Sequence, residues 1–123
     1  MHGKPPPGKP FDICERTFQF ALRALDITAA LPHQKEAQVV RDQLSRAGTS
    51  VGSNTEEAEG AITKKERRKF LGIARREALE SRYFLRITHH RWSNFVRVES
   101  DIREISEIRN ILSAMIRRID EAA

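Results

Sequence analysis

Apolar positions recur every three to four residues in four successive segments of this chain, the pattern of four amphipathic helices. The first predicted helix runs from Asp12 to Ala30, with Asp12 as its N-cap and Glu15 three residues later. It carries two apolar stripes. Phe11, Cys14, Phe18, Leu22, Leu25 and Ala29 form one; Ile13, Phe20, Ala24, Ile27 and Leu31 form another, roughly 200° around the helix. A surface helix needs only one apolar face. Two faces imply that one packs within the chain and the other against a second chain.

The second predicted helix spans Gln34 to Ala58, with Val40, Leu44, Ala47, Val51 and Ala58 as its stripe and Thr55 filling the gap. Its centre is crowded with small residues, and Gly48 and Gly52 share a face. Each glycine costs about 1 kcal/mol in a helix interior. Close approach of a neighbouring helix is the expected compensation, and a kink is the alternative. The third helix opens on a capping box, Thr63-Lys64-Lys65-Glu66, just past Gly60, and runs to Thr88. Phe70, Ile73, Ala74, Phe84 and Ile87 are its predicted core, with Leu71, Ala78 and Leu85 beside them. A loop over His89–Arg97 leads to a fourth helix from Ser100 to Asp120, striped by Val98, Ile105, Ile108, Leu112, Met115 and Ile119.

Beyond Pro32 no proline interrupts the chain, while four of its five prolines fall in residues 1–10. Those ten residues are expected to form a flexible Pro-rich arm, leaving residues 11–123 as a single domain. The fold class predicted is all-α, an up-down-up-down antiparallel four-helix bundle that uses nearly all of the 123 residues.

Charge adds the first functional signal. The net charge is +5, yet residues 64–91 alone contribute +7 (ten basic, three acidic). The excess is a local patch on the third helix. Within it Arg68, Arg75, Arg82 and His89 are spaced by sevens, with Lys64, Lys65 and Arg86 near the same stripe. Such a row suits a phosphate backbone, whose counterions each basic contact releases. Lys64, Lys65, Arg68, Arg75, Arg82 and Arg86 are therefore the candidate nucleic-acid-binding residues, for RNA or DNA. A solvated face, salt bridges to the acidic second helix, or an acidic protein partner account for the same charges. No aromatic residues interleave with the row as they do in many single-strand binders.

A second constellation faces inward. Glu77 and Glu80 lie on the stripe that carries Ile73 and Phe84, and Asn54 and Glu57 repeat the spacing on the second helix. A buried carboxylate is costly unless paired. Arg46 and Tyr83 are the candidate partners, giving a structural polar network of Arg46, Asn54, Glu57, Glu77, Glu80 and Tyr83 that fixes helix register. The alternative is a carboxylate metal site on Glu57, Glu77 and Glu80, but bundles of that kind use a Glu-x-x-His pair on two helices, which this chain lacks. The histidines have no metal-ligand spacing, there is no glycine-rich phosphate loop, and Cys14 lies on an apolar stripe. No catalytic residue, metal or cofactor is expected. The lone cysteine forms no intrachain disulfide, the N-terminus has no apolar run, and no stretch of about 18 apolar residues exists. A cytoplasmic protein without membrane contact is expected.

The stretch from Gln43 to Ala58, with Arg46, Ser50-Val51, Asn54 and Glu57, followed by Phe70-Leu71-Gly72-Ile73-Ala74, Glu77, Glu80 and Tyr83-Phe84-Leu85, resembles the bacterial four-helix bundle protein family, also called the 23S rRNA intervening-sequence or S23 protein family. The resemblance covers roughly residues 11–120. It implies a four-helix bundle assembled as a homo-oligomer, most simply a pentameric ring. It also implies kinship to the RNA-binding accessory protein of diversity-generating retroelements. The chain departs from many relatives in carrying Ala58 after Glu57 and Arg76-Glu77 in place of a Gly-Ser pair, and matches a branch with Glu at both inner positions.

Overall fold

A computed structural model describes residues 12–122; the Pro-rich arm, Phe11 and His2 lie outside the described residues. Four helices follow one another: α1 (Ile13–Ala30), α2 (Lys35–Glu59), α3 (Lys64–Arg91) and α4 (Glu99–Ala122). The connections 31–34, 60–63 and 92–98 are short, so each helix runs antiparallel to the one before it. α2 packs against α1 and α3, α3 packs against α4, and α1 meets α4 more sparingly. α1 and α3 occupy opposite corners. This is the four-helix bundle read from the sequence, and none of its helices is long and apolar enough to cross a membrane.

Local chemistry sets the ends. Asp12 Oδ1 accepts from the Cys14 amide at 2.9 Å and starts α1. Thr63 Oγ1 accepts from the Glu66 amide at 3.1 Å, while the Glu66 carboxylate reaches back to Ile62 N at 3.4 Å. α3 runs three residues past the predicted end, to Arg91. Trp92 N donates to Thr88 O at 2.8 Å, and His89, His90 and Arg91 stand in the last turn, at the negative end of the helix dipole. The loop is correspondingly shorter than predicted, with Trp92 buried and Phe95 exposed.

The core follows the predicted stripes on α1 and α2; on α3 and α4 ranks change, with Ile73 half-buried outside the core and Met115 and Ile119 only partly buried where Ile116 is buried. Phe20, Ala24, Ile27 and Leu31 of α1, Val40, Leu44, Ala47, Val51 and Ala58 of α2, and Ile105, Ile108, Leu112 and Ile116 of α4 are buried. On α3 the fully buried line is Leu71, Ala74, Ala78 and Leu85, continued by Ser81 and Thr88; Phe70, Phe84 and Ile87 pack on its flank. Along that line the small Ala74, Ala78 and Ser81 lie between Leu71 and Leu85.

The two glycines of α2 explain how α1 and α2 fit together. A Cβ added to Gly48 would lie 2.6 Å from the Ala24 Cβ, and one added to Gly52 would lie 3.2 Å from the Thr17 carbonyl oxygen. α2 is continuous through both, so the glycines serve close approach and do not mark a break. Gly48→Ala is expected to lower stability by about 1–2 kcal/mol, the overpacking outweighing alanine's better helix propensity. The check is the urea midpoint at unchanged slope, with Ala24→Gly in the same chain recovering most of the loss. An unchanged midpoint in Gly48→Ala alone would mean that the helices are not held this close.

Candidate nucleic-acid interface

The three carboxylates of α3 all leave its outer face. Glu66 turns back to cap the helix, while Glu77 and Glu80 turn toward α2. Arg46 of α2 receives the latter pair: its Nη1 donates to Glu77 at 2.9 Å and its Nη2 donates to Glu80. The hydrogen bond to Glu80, with the charges of both glutamates, raises the Arg46 pKa against the opposing effect of desolvation. Glu77 is 7% exposed, so its carboxylate stays in the bundle because Arg46 meets it there.

Three members of the predicted network stand apart from this cluster. Asn54 Nδ2 donates within its own helix, to Ser50 O and Oγ, each at 2.9 Å. Glu57 is exposed at the far end of α2, and Tyr83 is 58% exposed on the outside of α3. A three-residue spacing carries a side chain about 60° around a helix. That turn moves Glu57 off the buried face and leaves Asn54 at its edge. Among the described residues no three His, Cys, Asp or Glu side chains gather in a metal-binding group.

The basic row divides in the same geometric way. A strict seven-residue spacing drifts about 20° per step on a straight helix. The row Arg68, Arg75, Arg82, His89 therefore leans steadily into the seam with α4. Arg68 Nε and Nη2 donate to Asp120 at 3.1 and 3.2 Å, Arg82 Nε donates to Ser106 Oγ at 3.2 Å, and His89 Nδ1 is buried. Two of the six candidate residues are thus engaged with α4. Lys64, Lys65 and Arg86 are exposed, Arg75 is partly buried, and none of these four has a hydrogen-bond or ion-pair partner among the described residues.

What stands on the outer face is a different row: Lys65, Lys69, Gly72, Arg76, Leu79, Tyr83, Arg86 and His90, at alternating spacings of four and three, within an arc of about 100°. All but Gly72 are exposed and none is acidic. Lys69, Arg76, Tyr83 and His90 are also spaced by sevens, but in a series about 100° around the helix from Arg68, Arg75, Arg82 and His89, and the sequence pattern does not mark them. Leu79, 47% exposed, and Tyr83 sit in the middle of the row. The absence of interleaved aromatic residues noted for the sevens row does not hold for this one.

The opposite corner of the bundle carries the second exposed feature. Phe18, Leu22 and Leu25 of α1 are 53%, 44% and 45% exposed, while Phe20, Ala24, Ile27 and Leu31 of the other stripe are buried. Beside them a groove of about 220 Å³ is lined by Cys14, Phe18, Ala21, Thr49, Gly52, Ser53 and Glu56. Cys14 itself is 3% exposed. Burial above all, then the carboxylates of Glu56 and Asp12, pushes its thiol up to about 12 from an ordinary 9.0. The thiolate is the reactive form, so at pH 8 native Cys14 is expected to react with iodoacetamide on the order of a thousandfold more slowly than the denatured chain. Equal rates in a labelling time course would show that the thiol is open to solvent.

A family model for the 23S rRNA-intervening sequence protein matches residues 9–118 of the chain. Among solved structures, the chain is similar to a protein of unknown function from the S23 ribosomal protein family of Bacteroides thetaiotaomicron. The two are 29% identical with a TM-score of 0.77, and the match covers 85% of this chain and 98% of that one. No curated protein matches.

Proposed function

We propose a non-enzymatic role for this chain, which belongs to the 23S rRNA-intervening sequence protein family: it assembles into a homo-oligomer and holds RNA on the outer face of α3. The observation that carries this reading is the partition of charge on α3. Lys65, Lys69, Arg76 and Arg86 stand outward with no carboxylate partner among the described residues, while Glu77 and Glu80 are drawn to Arg46 and Glu66 caps the helix end. A helix that carries both signs thereby presents one. Such a face attracts polyanions through counterion release and needs no base-specific contact. The family's description, which ties it to sequences intervening in 23S rRNA, supports RNA as the polyanion.

Assembly supports the same function. The exposed Phe18-Leu22-Leu25 stripe is suited to a second copy of α1 or to a neighbouring face of the bundle. Five copies of a +5 chain carry about +25, which raises avidity for a strand that spans several of them.

Two outcomes are expected. Binding of single-stranded RNA, followed by fluorescence anisotropy, weakens with salt with a log–log slope of about −3 per protomer for four phosphate contacts. Reversing Lys65, Lys69, Arg76 and Arg86 to Glu abolishes it. Salt-independent binding overturns the reading, and a partner that survives nuclease treatment of a pull-down redirects it to an acidic protein. Separately, Leu22→Glu is expected to convert the assembly to monomer in size exclusion with light scattering, since an exposed apolar contact does not tolerate a desolvated charge.

A further inference from the structure

The outer row of α3 is not uniform along its length. Its N-terminal half holds Lys65, Lys69 and Arg76, with Gly72 between them and no aromatic residue. Its C-terminal half places the chain's single tyrosine among nitrogen-rich side chains. Tyr83, Arg86, Ile87 and His90 stand at i, i+3, i+4 and i+7, so they share one face, and with Arg91 they line an open pocket of about 250 Å³. The pocket has no carboxylate in its lining. Tyr83 packs edge-to-face on Phe84, with ring centroids 5.4 Å apart and an interplanar angle of 77°, and it stays 58% exposed.

We infer that this pocket seats one unpaired base of a single-stranded nucleic acid, stacked on the Tyr83 ring with its neighbouring phosphates on Arg86 and Arg91. The inference rests on the RNA-binding reading above and deepens it. Three observations select this ligand. The pocket lies near the C-terminal end of α3, where the helix dipole is negative and the free backbone groups are carbonyls, so a bare phosphate gains nothing from the backbone. Affinity there has to come from side chains, and the side chains combine an aromatic face with cations. That combination is the one used by single-strand binding surfaces, where every base offers a π face. The volume is below the range of pockets for drug-sized ligands, in keeping with a small planar group. Leu79, one turn away and exposed, extends the apolar surface toward a sugar or a second base. A duplex keeps its base faces stacked on one another and offers only edges and backbone, so it engages the cations without engaging Tyr83.

The experiment compares a labelled oligouridylate with an RNA duplex of the same length, by fluorescence anisotropy at one low salt concentration. Tyr83→Ala is expected to weaken single-strand binding about tenfold and to leave duplex binding unchanged, while Tyr83→Phe behaves as the parent. Arg86→Ala weakens both, as a phosphate contact does. Tyr83→Trp retains single-strand binding, and its indole emission is quenched by the single strand and not by the duplex. Tyr83 is on the surface, so the circular dichroism of each variant is expected to match the parent and to exclude unfolding as the cause. The base-stacking inference is overturned if Tyr83→Ala binds the single strand as tightly as the parent, or loses single strand and duplex equally. In those cases the phosphate-binding reading survives. If the parent binds neither RNA at low salt, both readings fall together.

Discussion

The bundle depends on the contact between α1 and α2 at Gly48. With no side chain on Gly48 and only a methyl on Ala24, the two backbones approach as closely as packing allows. The contact fixes the rotation of α1, because Ala24 lies on the line of Phe20, Ile27 and Leu31, and that line must then face the core. The same rotation turns Phe18, Leu22 and Leu25 away from it. The exposed apolar stripe is thus a consequence of the glycine contact. No rotation of α1 buries both of its faces inside one four-helix bundle.

Arginine completes the seams that apolar packing leaves. Arg16 bridges α1 to Glu104 at 2.8 Å and to Glu107, and Arg23 joins Asp101 at 2.9 Å and the Arg97 carbonyl oxygen at 3.0 Å. Arg46 joins α2 to α3, and Arg68 and Arg82 join α3 to α4. A planar guanidinium with several donors suits this task, since one side chain satisfies two acceptors on a neighbouring helix. The consequence for function lies in what is left over. Glu77 and Glu80 are held in the seam by Arg46, so Lys65, Lys69, Arg76 and Arg86 stand on the outer side of α3 with no carboxylate of their own helix beside them.

Much of this was legible in the amino-acid order. The helices, their caps at Asp12 and Thr63, the two faces of α1 and the role of Gly48 and Gly52 follow from periodicity and from the residues that helix ends and close contacts require. The pairing of Arg46 with Glu77 and Glu80 follows from the cost of burying a carboxylate. Asn54 and Glu57 stand three apart, a spacing that turns about 60° around the helix and separates their faces. Arg68 and Arg82 belong to one series of sevens, while Lys69, Arg76, Tyr83 and His90 form another about 100° away, and the spacing alone does not say which series faces outward. Tyr83 is close in sequence to Glu80 and a plausible partner for it on that ground, but its ring stands 58% exposed on the outside of α3 while Arg46 takes both carboxylates. Arg68 and Arg82 also needed the position of α4, which carries Asp120 and Ser106, and no local pattern on α3 reports it.

The diagonal placement of α1 and α3 keeps the two exposed features of the bundle apart. Among the described residues α1 and α3 make no contact with each other, so the apolar Phe18-Leu22-Leu25 stripe and the cationic row of α3 look out from opposite corners. A body seated on one corner leaves the other open, and the two surfaces can be occupied independently.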